Sequence, residues 1–281
     1  MLTLARPTLA PARVLADCIS GCSDPVLAGR LNAIEAMLVA AASTYDLHAR
    51  SQSLHMLPRL TSIGAVSRKE LEDLYTHQMS GTNGAARAYY NAIRNAPVNG
   101  KCPLCGVGTV AVLDHHLPKS KYPDLAVCPF NLVPACDFCN NAKRARFPRK
   151  VGEQTIHPYY DDFTKDQWVY AHLDTNGPPT LTFRVNPPTQ WTDVDKERAL
   201  RHFGVLKLGV TFASNANDDM ITLKDHLRWI HTRKGANDVQ AYLIDERNRY
   251  SVRLNSWQHA MYQTLSGNAW FINGGFLQIR N

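Results

Sequence analysis

Residues 113–143 have the sequence LDHHLPKSKYPDLAVCPFNLVPACDFCNNAK, and this stretch decides what the middle of the chain folds into. It combines two adjacent histidines, His115 and His116, with a Cys-x-x-Cys pair at Cys136 and Cys139. Cysteine pairs of this spacing are typical of zinc sites, whereas a histidine beside a carboxylate is typical of catalytic sites. The stretch is therefore a candidate for a structural metal site, an active site, or both.

Four of the seven cysteines form two Cys-x-x-Cys pairs, because the pair at Cys136 and Cys139 is preceded by one at Cys102 and Cys105. In a reducing compartment such pairs indicate metal before disulfides, and four thiolates complete a tetrahedral zinc site. Four sulfur ligands leave no open position for water, so the predicted zinc is structural. The remaining cysteines are predicted to be small buried apolar side chains: Cys18, Cys22 and Cys128.

Polar residues suited to phosphodiester hydrolysis accompany these cysteines. Asp114 and Asn140 offer oxygen ligands, which a hard divalent cation prefers. A histidine offers an imidazole that is mostly neutral near pH 7 and can accept a proton from water.

The order Asp-His-x-x-Pro, then Asn-Leu-Val-x-x-Cys-x-x-Cys-Asn-x-x-Lys, after a leading Cys-x-x-Cys, strongly resembles the HNH endonucleases, whose catalytic unit is a ββα-metal finger. The resemblance covers about residues 100–147. It implies that Asp114 and Asn140 bind a catalytic Mg²⁺ or Mn²⁺ and that His115 is the general base. It also implies that Asn131 braces the loop carrying the base, and that the substrate is DNA cleaved to a 5′-phosphate product.

The family pattern separates the two histidines, because its proline follows the base by three positions. Pro118 is three residues after His115 and two after His116, so His115 is the predicted base and His116 a packing or hydrogen-bonding residue. On a regular strand, however, Asp114 shares a face with His116 and not with His115. Either a bulge re-aims one of them or the chain is irregular there.

The segment HPYYDD at 157–162 is a weaker candidate for a metal site. Its His157, Asp161 and Asp162 are predicted to form a surface turn. This segment and LPKSKYPDLAV resemble HNH proteins that accompany ATPases in bacterial antiphage systems of the Septu type. The resemblance implies an ATPase partner and a role in antiviral defence.

The net charge of +7 favours polyanionic partners. Residues 143–150, KRARFPRK, concentrate cationic side chains directly after the second cysteine pair. Lys143, Arg144 and Arg146 are therefore predicted to contact phosphates, with a solvated basic loop as the alternative. The HNH resemblance implies that Lys143 faces the substrate phosphate.

Outside this module the pattern is mainly helical. Apolar spacing predicts helices over 23–50, 85–95, 192–207, 217–233 and 238–265, and the capping-box pattern SRKE at 67–70 predicts one over 67–79. Within the module, GTVAVLDHH at 108–116 predicts a strand. The turn sequence DTNGP between QWVYAHL and PTLTFRV predicts a hairpin. The apolar stripe of the last helix is interpreted as core, with a subunit interface as the alternative. The predicted α+β organisation has three parts: a helical region (1–99), an HNH module with its zinc (100–150) and a mixed, mainly helical region (151–281).

The apolar run at 36–42 is too short to cross a membrane, and no secretory signal is evident, so a cytoplasmic location is expected. The predicted function is that of a metal-dependent HNH endonuclease acting in bacterial defence. A non-catalytic zinc module that binds nucleic acid or protein is the first alternative. A toxin-like nuclease held inactive by a partner is the second.

Overall fold

Two units make up the chain in the computed structural model, which describes residues 1–280. The N-terminal unit spans Leu2–Asp162 and the C-terminal unit begins at Phe163. The predicted regions 1–99 and 100–150 differ from this division, since both lie in the N-terminal unit. One hydrophobic cluster joins them, because Leu113 and Leu132 of the module are buried together with side chains of the preceding helices. The helical region therefore shares its core with the module.

The helices before the module are α1 (Pro11–Ser20), α2 (Pro25–Arg50), α3 (Arg68–Leu74) and α4 (Arg87–Arg94). The first of them was not predicted. Asp24 starts α2 by accepting hydrogen bonds from the first-turn N–H groups. The capping box predicted at Ser67 and Glu70 is confirmed and starts α3. A short hairpin of β1 (Ser62–Ile63) and β2 (Val66–Ser67) precedes α3.

Helix α2 is apolar enough to cross a membrane by length and composition, with a mean hydropathy of 1.4 over its best window. Its buried face is nevertheless used inside the N-terminal unit. Leu31 and Leu38 pack in the cluster that α1 shares, and Tyr45 packs in a second cluster with Leu125. Core helices of soluble proteins pass the same test, so α2 alone does not indicate a membrane protein.

A two-stranded hairpin and one helix form the centre of the module. Strand β3 (Val112–His115) pairs antiparallel with β4 (Leu132–Ala135), and α5 (Asp137–Lys143) follows directly. The strand was predicted over 108–116 but begins later, because residues 101–109 form a separate turn closed by a bridge between Lys101 and Thr109. The order strand, strand, helix is the one that the HNH resemblance implies.

The C-terminal unit contains the predicted hairpin, which is confirmed as β5 (Val169–Asp174) and β6 (Thr180–Val185). Its helices are α6 (Asp193–Val205), α7 (Leu208–Lys234), α8 (Ala236–Arg249), α9 (Trp257–Ser266) and α10 (Ala269–Ile272).

The single helix predicted over 238–265 is wrong, since α8 ends at Arg249 and α9 begins at Trp257. Asn255 lies in the connection between them, and its buried side chain accepts hydrogen bonds from the N–H groups of Trp168 and Val169. The apolar stripe folds back on itself as α8 and α9 pack together, and Leu243 and Met261 are buried in the unit. The apolar stripe is therefore part of the core of the C-terminal unit, as predicted.

Candidate metal centre and catalytic cleft

The four paired cysteines come together in one buried cluster. The sulfur atoms of Cys102, Cys105, Cys136 and Cys139 all lie within 4.8 Å of one another. The Sγ atoms of Cys105 and Cys136 are 3.9 Å apart. Zinc bound tetrahedrally at 2.3 Å from each sulfur would separate the sulfurs by about 3.8 Å. The cluster therefore fits a zinc ion, and the other three cysteines are not part of it.

The turn between Cys102 and Thr109 is shaped by its two glycines. Gly106 has a φ of 72°, in the left-handed region. A Cβ atom at Gly108 would lie 2.8 Å from the Cys136 sulfur, so only glycine fits there. The N–H groups of Val107 and Gly108 donate to Cys105 Sγ at 3.4 Å. Hydrogen bonds among the four sulfurs lower the pKa of Cys105, that with Cys102 first, and raise the pKa of Cys102 and of Cys139.

A cleft of about 290 Å³ lies beside this cluster, between the end of β3, α3 and α5. Three of the predicted catalytic residues, Asp114, His115 and Asn140, line it. Two exposed or partly exposed cations, Lys119 and Arg144, line it as well. Lys119 was not predicted to belong to the site, although the Lys-Ser-Lys run at 119–121 indicates a local concentration of positive charge.

His115 is held as a neutral imidazole with a defined tautomer. Its Nε2 lies 2.8 Å from the backbone oxygen of Ala126, and a carbonyl only accepts, so Nε2 carries the proton. Nδ1 is then the unprotonated nitrogen and can accept a proton. The ring packs edge-on against Tyr75, with 4.4 Å between ring centroids. Burial lowers the pKa of His115 to about 3, so the ring stays neutral at physiological pH.

Asn131 lies behind the cleft and does not line it. Its Oδ1 accepts from the N–H of Leu117 at 2.8 Å, and its Nδ2 donates to the oxygens of Leu117 at 2.9 Å and Leu125 at 3.3 Å. The backbone oxygen of Asn131 also accepts from the N–H of His116 at 2.8 Å. These four bonds tie β4 to the loop that follows His115, which is the bracing arrangement expected for this asparagine.

Lys143 does not face the open cleft, contrary to the expectation for a phosphate contact. Its Nζ lies 3.1 Å and 3.0 Å from the two carboxylate oxygens of Asp114 and donates to the oxygen of His115 at 2.6 Å. Lys143 is one helical turn after Cys139, and both side chains occupy the buried face of α5. The cation available to a ligand in the cleft is its exposed neighbour Arg144.

Asp114 is a buried carboxylate whose charge is balanced by Lys143. Burial raises its pKa, and the nearby Lys143 ammonium opposes that rise. Asn140, by contrast, is partly exposed, and no hydrogen bond engages its side chain among the residues that the structure describes. Asp114 and Asn140 thus border the same cleft from two elements, β3 and α5.

The two histidines have different surroundings, which resolves the conflict with strand alternation. The register of β3 and β4 is continuous, so no bulge is present, and the strand ends at His115. His116 lies in the irregular chain beyond it, buried, with its ring 4.1 Å from that of His157. The prediction that His116 packs in the interior is confirmed.

The surface turn predicted for His157, Asp161 and Asp162 is wrong for the first two. His157 is 2% exposed and Asp161 is 8% exposed. The Asp161 carboxylate accepts from the N–H of His157 at 2.7 Å, and the hydroxyl of Tyr45 lies 3.0 Å from Nε2 of His157. The stack on His116 removes His157 from solvent, so the segment forms part of the core behind the cleft.

The basic run after α5 lies at the surface. The helix stops at Arg144, whose φ of 52° is in the left-handed region, and both Arg144 and Arg146 are exposed. Arg146 donates to the oxygen of Ala142 at 2.5 Å. Two of the three residues predicted to contact phosphate are therefore accessible, and Lys143 is not.

The chain is similar to Protein ea31 of Escherichia phage lambda. The two are 29% identical over 290 residues, which covers 94% of this chain and 98% of the phage protein. No protein-family model and no solved structure matches the chain. The similarity extends over both units, so the N-terminal and C-terminal units occur together in the phage relative.

Proposed function

We propose that the protein is a metal-dependent endonuclease of the HNH type that hydrolyses phosphodiester bonds in DNA. The observation that carries the proposal is the state of His115. Its Nε2 donates to the backbone oxygen of Ala126, which leaves Nδ1 as the unprotonated nitrogen, and His115 lines the same cleft as Asp114 and Asn140. A neutral, oriented imidazole beside two oxygen ligands is what hydrolysis by an activated water requires.

The roles of the chain's own groups follow from this geometry. Asp114 and Asn140 would hold a divalent cation, Mg²⁺ or Mn²⁺, which supplies charge stabilisation for the phosphate and the leaving oxygen. His115 Nδ1 accepts the proton of the attacking water. Arg144 and Lys119 are placed to attract the phosphate.

The zinc cluster has a separate, structural role in the proposal. Cys136 immediately precedes α5, and Cys139 lies in its first turn. Zinc binding would therefore fix the start of the helix that carries Asn140 and Lys143. Removing zinc is expected to displace one cleft ligand without touching the base.

A plasmid-nicking assay with Mg²⁺ or Mn²⁺ tests the proposal, and the adjacent histidines supply a matched pair. His115→Ala removes the base and should reduce cleavage by about 10²–10⁴-fold. DNA affinity and zinc content should stay at the wild-type level. His116→Ala should retain most cleavage and lower the melting temperature, because it removes a buried ring stacked on His157.

Two outcomes would contradict the proposal. If His116 is essential and His115 dispensable, the motif has been assigned one residue out of register. If neither variant changes cleavage, the activity is not at this cleft, and the non-catalytic zinc module becomes the better explanation.

The antiviral role, the ATPase partner and the cytoplasmic location stay predictions that rest on the sequence resemblance. Co-purification of the tagged chain from its native host tests the partner directly. An ATPase recovered in stoichiometric amount would support it, and recovery of the chain alone from cells exposed to phage would contradict it.

A further inference from the structure

A second pocket of about 610 Å³ in the N-terminal unit has a lining unlike that of the catalytic cleft. It contains two arginines, Arg59 and Arg149, two aromatic rings, Tyr122 and Phe147, and one histidine, His55. No carboxylate contributes to this lining among the residues that the structure describes. The pocket is therefore cationic and aromatic at once.

Phe147 is the centre of this pocket. The guanidinium groups of Arg59 and Arg149 lie 5.2 Å and 5.9 Å from its ring centroid. The ring of Tyr122 meets it edge-on, with 6.4 Å between centroids. Guanidinium planes and aromatic rings stack on nucleobases, and guanidinium groups also bind phosphate.

The pocket is connected to the catalytic cleft through one segment of chain. Arg144 and Ala145 line the cleft, whereas Phe147 and Arg149 line the pocket. Two residues of extended chain span at most about 7 Å, so Ala145 and Phe147 are close neighbours. The cleft and the pocket therefore lie within a few ångströms of each other along residues 145–147.

We propose that this pocket binds an unpaired nucleotide of the substrate strand, with its base on Phe147 and its phosphate on Arg59 and Arg149. The inference rests on the proposed function in taking the strand in the cleft as the source of the nucleotide. It implies a preference for single-stranded DNA, or for a duplex that has an unpaired base near the cleavage point.

Binding is measured by fluorescence anisotropy on the full chain without divalent cations, so that no strand is cut. Labelled single-stranded DNA is compared with the fully paired duplex. Phe147→Leu should weaken single-strand binding by about 5- to 150-fold, the range for losing one stacked base, with duplex binding unchanged. Phe138→Leu is the matched control, because Phe138 is 45% exposed on α5 and lines neither pocket.

A second variant keeps the test valid if Phe147→Leu folds poorly. Arg59 is exposed, so Arg59→Gln should leave the melting temperature unchanged. It should reduce the slope of log affinity against log salt for single strands by about 0.7.

Three results would overturn the inference. The first is equal single-strand binding by the Phe147 and Phe138 variants. The second is equal weakening of single-strand and duplex binding by Phe147→Leu. The third is binding of deoxyadenosine monophosphate as tight as that of the oligonucleotide, which would assign the pocket to a free nucleotide. Failure of the proposed function looks different: no cleavage with Mg²⁺ or Mn²⁺, while the Phe147 effect on binding persists.

Discussion

Replacing Lys143 by methionine tests the buried ion pair at the base of the cleft. The two side chains are only 4% and 7% exposed, and the ammonium contacts both carboxylate oxygens of Asp114 and the oxygen of His115. Removing one partner of such a pair leaves an uncompensated buried charge and typically costs about 3–5 kcal/mol. An independent limit agrees with this range, because protonating an ordinary aspartate at pH 7 costs about 4 kcal/mol. In the variant, protonation of Asp114 removes the buried charge, so the loss of stability does not exceed the cost of that protonation.

The expected loss corresponds to a melting temperature about 6–20 °C lower for a unit of this size. Zinc release, followed with a metal-sensitive dye, reports unfolding of the N-terminal unit. All five tryptophans lie in the C-terminal unit, so tryptophan fluorescence supplies an internal control that should not shift. Arg144→Met is the matched variant, since it removes an exposed cation from the next position and should cost less than about 0.5 kcal/mol.

Two further measurements test whether the unpaired charge of Asp114 causes the destabilisation. The double variant Lys143→Met with Asp114→Asn should recover most of the stability, because no buried charge remains. Added Mg²⁺ should stabilise Lys143→Met more than the wild type if Asp114 is a metal ligand. A Lys143→Met melting transition within 2 °C of the wild type would refute the assignment of a buried, mutually dependent pair.

Three other predictions concern the same unit. Cys102→Ser should abolish stoichiometric zinc and destabilise the module, whereas Cys22→Ser, outside the cluster, should keep zinc in elemental analysis. Asn131→Ala should lower the free energy of unfolding by about 2–4 kcal/mol in urea, because three buried backbone groups lose their hydrogen-bond partner. A smaller loss would contradict the bracing role. Burial raises the pKa of Asp124 to about 6, and its Oδ1 has no partner, so the charged form is unfavourable in the fold. The folded state then holds its proton longer than the unfolded chain, and stability falls as pH rises from about 4 to 6. Asp124→Asn should raise stability at pH 7.5 by about 1–3 kcal/mol and leave it unchanged below pH 4, in thermal melts across that range.

The four-cysteine cluster was predictable from the sequence because its ligands are set by local spacing. Two Cys-x-x-Cys pairs predict a four-sulfur cluster without knowledge of the tertiary fold, and the cluster is present. The same holds for the capping box at Ser67 and for the hairpin around DTNGP, whose determinants lie within a few residues.

Other features depend on partners distant in sequence and were missed for that reason. The connection between α8 and α9 carries Asn255, whose side chain binds the N–H groups of Trp168 and Val169, a contact that no local pattern records. The burial of His157 depends on His116 and Tyr45. Tyr75, which packs on the proposed base, comes from the end of α3 with no motif to mark it.

Lys143 shows how a motif can mislead about the direction of a side chain. The motif places a lysine three residues after Asn140, and a cation near a phosphate site suggests a phosphate contact. The helix turns that lysine toward Asp114 instead, because Cys139, one turn earlier, already points inward. Helical geometry, and not the spacing of the motif, decides which cation reaches the cleft.

The core shared by the N-terminal helices and the module also governs how the chain is made. Helices α1 to α4 leave the ribosome before Leu113 and Leu132, against which their apolar faces pack. At synthesis rates of about 5–20 residues per second, α4 waits about 2–8 s and α1 about 6–22 s for the hairpin that covers their apolar faces. Nascent chains interrupted before residue 132 are therefore expected to depend on chaperones. Residues 100–150 excised alone would leave the apolar side of their hairpin uncovered, so this segment is not expected to fold by itself.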